Sequence, residues 1–165
     1  MRSSLVPVLV LAACGPATGP EFDFGPECGE AEPTLGELVL TDLGTRTIGG
    51  EERRAISLTA EAADEDGGLH AYVAKVWYDT FEDGELPSLP SVEVDATVGE
   101  VACGVTEANV GVVLPLGGNV PFGTRVEFGM VVEDVDGFES NGGEPVFGVF
   151  STPADEAPTD TDAAG

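Results

Sequence analysis

Two acidic segments of the chain carry carboxylates at a spacing that could bind a hard cation. Asp64 and Asp66 stand two residues apart just before a glycine, and Asp134 and Asp136 repeat this arrangement later in the chain. Closely spaced carboxylate oxygens are the ligands that surround calcium in protein loops. These four aspartates are therefore our candidate metal ligands, and calcium is the one cofactor that the sequence suggests.

Neither segment completes the loop of an EF-hand, which ends in a glutamate at its twelfth position. Lys75 occupies that position after Asp64, and Pro145 occupies it after Asp134. An Asp-Gly pair is also a common turn, because the aspartate bonds its own backbone and the glycine supplies a positive φ. Two interpretations stay open, namely two plain turns or a calcium site.

Aromatic side chains gather near the middle of the chain, at Tyr72, Trp77, Tyr78 and Phe81. Such rings could form a platform that binds a carbohydrate or a peptide. In an extended strand Tyr72 and Tyr78 face one way and Trp77 faces the other, because side chains alternate. One set is therefore expected in a core, and structural packing competes with ligand binding by Tyr72, Trp77 and Tyr78.

Catalytic chemistry has little support in the residues. His70 is the only histidine, and its place just after an acidic turn predicts a solvated side chain. No phosphate loop, nucleophile elbow or paired zinc-binding histidines occur. We expect no catalytic residues and no enzyme; a small carboxylate-dependent hydrolase, whose two acids would meet only in space, is the weakest alternative.

The N-terminus has the layout of a secretory signal, with Arg2 followed by an apolar run that ends at Cys14. The run is well short of the roughly 20 residues that cross a bilayer. Leu11-Ala12-Ala13-Cys14 resembles the lipobox of bacterial lipoproteins. The resemblance implies cleavage before Cys14 and acylation of its sulfur, so that the mature protein is anchored to a membrane. Gly15 resembles the residue found there in lipoproteins sorted to the outer membrane.

The composition is strongly acidic, with 31 Asp and Glu against 6 Lys and Arg and a net charge of −25. Nucleic-acid binding needs clustered basic side chains, which this chain lacks. Anionic lipid headgroups would also repel the body of the protein. We expect the membrane to be contacted through the lipid alone, with an envelope protein or a glycan as the partner.

Two further cysteines, Cys28 and Cys103, remain once Cys14 is acylated. An exported protein meets an oxidising compartment, so we predict a disulfide between them, with two free thiols as the alternative. Closing a loop of about 75 residues would stabilise the fold by up to ~4.5 kcal/mol in the entropic model.

Composition divides the chain into four parts. Residues 1–13 are the signal peptide, and residues 14–33 form a tether rich in Gly, Pro and Glu. Residues 34–152 form one folded domain. Residues 153–165 contain acids and prolines but no large apolar side chain, which predicts a disordered tail.

The folded domain is predicted to be all-β, because short apolar runs alternate with turn residues and no helical periodicity is sustained. In the second run Ile56, Leu58 and Ala60 share one face, and in the sixth Val126 and Phe128 do the same. The predicted strands are seven: Leu35 to Leu43, Ala55 to Ala63, Leu69 to Thr80, Ser91 to Thr97, Asn109 to Leu116, Arg125 to Glu133 and Pro145 to Thr152.

The segments LTAEAADEDGGLHAYVAKVWYD and VEFGMVVEDVDGFESN resemble strands of immunoglobulin-like and fibronectin type III domains. This resemblance implies a single antiparallel β-sandwich of about seven strands. Cys28 and Cys103 do not lie on the second and sixth strands, so the inter-sheet disulfide of antibody domains is not expected. The sequence thus predicts a non-catalytic surface lipoprotein that acts as a structural or binding module. The alternative is a calcium-stabilised adhesion module or a carbohydrate- or peptide-binding module.

Overall fold

The computed structural model describes residues 25–79, 89–116 and 125–151, which form β-strands joined by turns. The one helical element within these ranges is a short 3-10 turn, Ser140–Gly143, so none of them holds a helix long and apolar enough to cross a membrane. The strands are β1 (Thr34–Leu35), β2 (Val39–Ile48), β3 (Glu51–Ala63), β4 (Ala71–Asp79), β5 (Val92–Thr97), β6 (Glu107–Pro115), β7 (Arg125–Glu133) and β8 (Val146–Ser151).

The strands form two antiparallel sheets, which confirms the predicted all-β sandwich. In the first sheet β3 is central, with β6 on one side and β1 and β2 in succession on the other. The second sheet has the order β5-β4-β7-β8. Consecutive strands β3 and β4 therefore lie in different sheets, and so do β6 and β7.

The first predicted strand differs most from the observed one. It is interrupted between β1 and β2, and β2 then continues to Ile48, where it forms a hairpin with β3. Gly49 and Gly50 make the two-residue turn with φ values of 62° and 85°, a conformation that glycine adopts without strain. The hairpin arm is polar and exposed, which is why its sequence shows no alternation of apolar residues.

The core lies between the sheets and is built mainly from alternate residues of β3 to β7. Ile56 and Leu58 of β3 and Val126 and Phe128 of β7 are all buried, as their alternation predicts. Burying such side chains stabilises a fold by about 1.5–3 kcal/mol each. The sandwich thus holds together by apolar packing between its sheets.

A hydrogen-bonded contact between the sheets involves Tyr72 of β4 and Gly111 of β6. The Tyr72 hydroxyl donates to the Gly111 carbonyl oxygen at 3.2 Å and accepts the Gly111 N–H at 3.1 Å. Glycine is required here because a Cβ would come within 2.3 Å of the Leu58 carbonyl oxygen.

Candidate functional site

The two acidic segments come together at one end of the sandwich. Asp64 directly follows β3 and Asp134 directly follows β7, although these strands belong to different sheets. Gly68 lies between them, since a Cβ there would be 2.9 Å from Asp64 Oδ2 and 3.3 Å from Asp136 Oδ2. The sequence showed two similar loops, and the fold makes them neighbours.

The first aspartate of each pair organises its own loop. Asp64 Oδ1 accepts the N–H of Asp66 at 3.0 Å, and its Oδ2 accepts the N–H of Gly68 at 2.6 Å. Asp134 Oδ1 accepts the N–H groups of both Asp136 and Phe138, each at 2.9 Å. These bonds are what the turn interpretation predicts for Asp64 and Asp134.

The two loops differ at one oxygen atom. Asp134 accepts both amides on Oδ1, which leaves its Oδ2 without a hydrogen-bond partner. This oxygen is buried, since Asp134 is only 3% exposed. Burial raises the pKa of Asp134 above its ordinary value, and the nearby charges of Asp136 and Asp64 raise it further, against the lowering effect of the loop amides. Buried polar atoms are normally paired, so this oxygen calls for an explanation.

The second aspartate of each pair binds the segment that precedes β1. Asp136 accepts the N–H of Cys28 at 2.8 Å through Oδ1 and the N–H of Gly29 at 3.0 Å through Oδ2. Asp66 Oδ2 accepts the N–H of Ala31 at 2.7 Å. Both carboxylates therefore hold the N-terminal segment, a role that neither the turn nor the calcium interpretation predicted.

Asn141 holds the next part of the same segment from the 3-10 turn. Its side chain accepts the N–H of Leu35 at 3.0 Å and donates to the Leu35 carbonyl oxygen at 3.1 Å, and its own N–H donates to Pro33 at 3.0 Å. The described part of the predicted tether, residues 25–33, therefore lies against the sandwich. The predicted signal peptide, Cys14 and the predicted acidic tail lie outside the described residues.

The predicted disulfide is present. Cys28 and Cys103 are bonded with an S–S distance of 2.13 Å across a sequence separation of 75 residues. The bond ties the N-terminal segment to the connection between β5 and β6. As the positions of the cysteines predicted, it does not join strands of the two sheets.

His70 is not solvated, contrary to the prediction from its place after an acidic turn. Its side chain is fully buried, and its Nδ1 lies 3.7 Å from Cys28 Sγ. The N-terminal segment helps to cover His70, since a Cβ at Gly25 would lie 3.3 Å from His70 Nε2. The prediction failed because it treated the turn in isolation from a segment more than 40 residues away in sequence.

The three candidate aromatic residues do not form one surface. Tyr72 is fully buried in the core, while Tyr78, at the end of β4, is 47% exposed and packs its ring 6.0 Å from that of Phe128. Trp77 points to the outer face of the sheet, where it is half-buried beside Gly129. A surface ligand could reach Trp77 and Tyr78 but not Tyr72, and Phe81 lies outside the described residues.

Lys75, Arg53 and Arg54 form their ion pairs with acids other than the four aspartates. Lys75 bonds Glu133 at 2.5 Å and Glu139 at 2.6 Å on the outer face of its sheet. Burial alone would lower the pKa of Lys75. The two acids together raise this pKa by more than burial lowers it, so it lies above its ordinary value. Arg53 and Arg54 pair with Glu51 and Asp42 instead.

The converged loops do not have the geometry of a formed metal centre. Across residues 25–79, 89–116 and 125–151, no three side chains of His, Cys, Asp or Glu stand close enough to hold a metal ion as they are placed. What the arrangement offers is negative charge, oxygen acceptors and one unpaired oxygen, Asp134 Oδ2. No protein-family model, curated protein or solved structure matches this chain.

Proposed function

We propose that this chain is a non-catalytic lipoprotein of the bacterial cell envelope, anchored through Cys14 and acting as a structural or binding module. The observation that carries the proposal is the N-terminal pattern, a basic residue, an apolar run and Leu11-Ala12-Ala13-Cys14, which resembles a lipobox. Gly15 favours the outer membrane or cell surface as the destination. The partner on this proposal is an envelope protein or a glycan, not a nucleic acid.

The disulfide supports export. Disulfides persist outside the cytoplasm and are rare within it, where thiols are kept reduced. Cys28 and Cys103 are bonded to each other, so Cys14 is the one cysteine of the chain left for lipid attachment. All three cysteines thus agree with the proposal: Cys28 and Cys103 form the disulfide of the folded domain, and Cys14 would carry the lipid.

The docked N-terminal segment sets where the folded body would lie. Gly25, the first described residue, follows Cys14 by eleven positions, and eleven residues reach at most about 40 Å when fully extended. The end of the sandwich that carries the disulfide and the four aspartates would therefore lie within about 40 Å of the lipid anchor. The net charge of −25 favours separation of that body from anionic headgroups.

The non-catalytic part of the proposal is supported by how the acids are used. Asp64 and Asp134 are each 3% exposed and accept amides of their own loops. Such carboxylates serve the backbone and are not presented to a substrate. The two-sheet architecture is compatible with the immunoglobulin-like domain that the sequence resembles, a class used widely for surface recognition.

The alternative, a calcium-stabilised adhesion module or a carbohydrate- or peptide-binding module, is favoured by two separate features. The unpaired oxygen of Asp134 favours its calcium component. The half-buried Trp77 and the exposed Tyr78 favour its ligand-binding component. Both are compatible with a lipid anchor, since anchor and ligand use different parts of the chain.

Replacement of Cys14 by serine is expected to abolish acylation and release the protein from membranes, because serine offers no sulfur for the diacylglyceryl group. The measurement is metabolic labelling with a radioactive or alkyne fatty acid, followed by membrane fractionation. Two buried acyl chains suffice for stable anchoring, so we expect nearly all of the wild-type protein in the membrane fraction.

The matched control is the double variant Cys28→Ser, Cys103→Ser, which also removes cysteine sulfurs but leaves Cys14 in place. It should remain labelled and membrane-bound. Unlabelled wild-type protein, or a Cys14→Ser variant that keeps both label and membrane attachment, would contradict the proposal.

A further inference from the structure

We propose that the Cys28–Cys103 disulfide is a site of thiol–disulfide exchange, at which a small thiol attacks Cys103 and Cys28 is the leaving sulfur. The inference goes beyond the proposed function and does not rest on the lipid anchor. Such a site needs a sulfur that a thiol can reach and a group that receives the leaving sulfur. It also needs a fold that keeps the two cysteines together once the bond has opened.

The two cysteines of the bridge differ in exposure. Cys103 is exposed and lies in a connection whose residues 99–104 are all exposed, whereas Cys28 is half-buried. In thiol–disulfide exchange a thiolate attacks one sulfur of the bond and expels the other, and access helps to decide which sulfur is attacked. The difference in exposure therefore directs the attack to Cys103 Sγ and makes Cys28 Sγ the leaving sulfur.

A histidine contacts the leaving sulfur. His70 is fully buried, and its Nδ1 lies 3.7 Å from Cys28 Sγ. When Nδ1 carries a hydrogen, it can donate to the thiolate that forms on Cys28, and hydrogen bonds to charged groups are among the strong ones. A thiolate that is stabilised in this way leaves faster. His70 therefore has a role in the exchange that its place in the sequence did not suggest.

The exchange takes place in two balanced steps. In the first, a thiolate RS⁻ forms a bond to Cys103 Sγ, the bond between the cysteines breaks, and its electron pair passes to Cys28 Sγ, which takes up a proton. In the second, another RS⁻ attacks the mixed disulfide and releases RSSR, and Cys103 takes up a proton. Two thiols are thus oxidised while the bridge is reduced. The carbonyl oxygens of Glu27 and Pro26, 3.5 Å from Cys103 Sγ and Cys28 Sγ respectively, are acceptors for the two new S–H groups.

Backbone contacts hold each cysteine independently of the bridge. The N–H of Cys28 donates to Asp136 at 2.8 Å, and the N–H of Gly104, next to Cys103, donates to the Gly67 carbonyl oxygen at 3.0 Å. The Cα atoms of the two cysteines are 5.4 Å apart, so thiols held in these places remain close enough to be oxidised again. The bridge can therefore open and close while the sandwich stays folded.

The charge around the bridge favours a cationic thiol. Glu27 precedes Cys28 directly and Glu100 lies three positions before Cys103, and both glutamates are exposed. The whole chain carries a net charge of −25. Such a field attracts cations and repels anions. We therefore expect small aminothiols to react faster than thiols that carry a carboxylate, with a preference that fades in high salt.

The test is reduction of the folded full-length chain carrying Cys14→Ser, so that Cys28 and Cys103 are its only cysteines. The chain is exposed briefly to cysteamine and quenched with N-ethylmaleimide, and mass spectrometry of its peptides locates the bound thiol. We expect the mixed disulfide on Cys103 at least about tenfold more often than on Cys28. The far-UV circular dichroism should stay unchanged when the bridge is fully reduced.

Mercaptoacetate is the anionic probe that matches cysteamine in size. The rate of each thiol is divided by its rate with hydroxyethyl disulfide, an uncharged reference, to remove differences in intrinsic reactivity. At low salt we expect mercaptoacetate to react at least about threefold more slowly than cysteamine on this scale.

The variant His70→Leu removes the ring nitrogen beside Cys28 Sγ, whereas His70→Asn keeps an N–H donor near the same place. We expect exchange to be about tenfold slower in His70→Leu and largely restored in His70→Asn. Asp66→Asn is the control for loosening of the N-terminal segment, because it weakens the bond to Ala31 and leaves both sulfurs and His70 in place. It should not slow the exchange.

Three outcomes would overturn the proposal: a bridge that is reduced only where the sandwich unfolds, a thiol attached as often to Cys28 as to Cys103, or an undiminished rate in His70→Leu. Equal scaled rates for cysteamine and mercaptoacetate would overturn the preference for cations. Should the His70 variants fail to fold, the position of the bound thiol and the circular dichroism of the reduced chain decide.

Discussion

Replacing Tyr72 by phenylalanine is expected to lower the free energy of unfolding by about 2–4 kcal/mol. The ring would still fill the core, but the Gly111 N–H and C=O would lose the hydroxyl that pairs both of them. Each buried backbone group left without a partner costs about 1–3 kcal/mol. Urea denaturation followed by circular dichroism measures the change as a lower midpoint at unchanged slope.

Tyr78→Phe is the matched control, because it removes the same atom from the same strand. Tyr78 is 47% exposed, and its ring packs on that of Phe128, a contact that phenylalanine retains. We expect a change within about 0.5 kcal/mol, as for other surface substitutions. If Tyr72→Phe were as stable as Tyr78→Phe, the hydrogen bonds to Gly111 would not matter for stability.

The double variant Cys28→Ala, Cys103→Ala is expected to lose about 2–5 kcal/mol of stability, since loss of a native disulfide from a small domain has this effect. The closed loop is long, because the cysteines are separated by 75 positions in sequence, for which the entropic model gives ~4.5 kcal/mol. The backbone N–H of Cys28 can still bond Asp136 in the variant. The difference in unfolding free energy between the variant and the wild type therefore measures the contribution of the covalent bond.

Urea denaturation of the double variant and of the reduced wild type should give the same loss. Cys14→Ser serves as the control, because that residue lies outside the disulfide loop and its replacement should leave the midpoint unchanged. A double variant as stable as the oxidised wild type would mean that the carboxylates and Asn141 alone fix the N-terminal segment.

Local sequence patterns predicted the sandwich because each strand carries its own signal. Ile56 and Leu58 stand two residues apart in β3, and Val126 and Phe128 do so in β7. This spacing identifies the buried face of each strand without knowledge of the partner strand. The polar arm of the β2–β3 hairpin carries no such signal, since neither of its faces meets the core. Its glycine pair at Gly49 and Gly50 was the one available indication.

The candidate site could be predicted residue by residue but not as an arrangement. Asp64 and Asp134 read alike in sequence, and only the structure shows that Asp134 directs both loop amides to one oxygen. Their proximity depends on how two sheets face each other, which no local pattern encodes. His70 was misjudged for the same reason, because its cover is a segment brought there by Cys28.

Asn141 is a structural contact that the sequence could have suggested. It has a positive φ of 55° and is followed by Gly142 and Gly143, both also at positive φ. Asparagine tolerates this conformation better than most residues, and an Asn-Gly pair commonly marks a tight turn. The turn holds the backbone of Leu35 and Pro33. The sequence around Asn141 does not predict these partners, because they come from a distant part of the chain.

The position of the disulfide also decides how the molecule would respond to mechanical tension. A pull between the two ends of the chain passes from Cys28 through the covalent bridge to Cys103, so the polypeptide between them is bypassed. Strands β1 to β5 lie inside that bypassed stretch and cannot be drawn out, which withholds about 250 Å of extension. Among the described strands, β6, β7 and β8 lie outside this stretch and would bear the tension, whereas β1 to β5 would be spared it until the bridge was reduced.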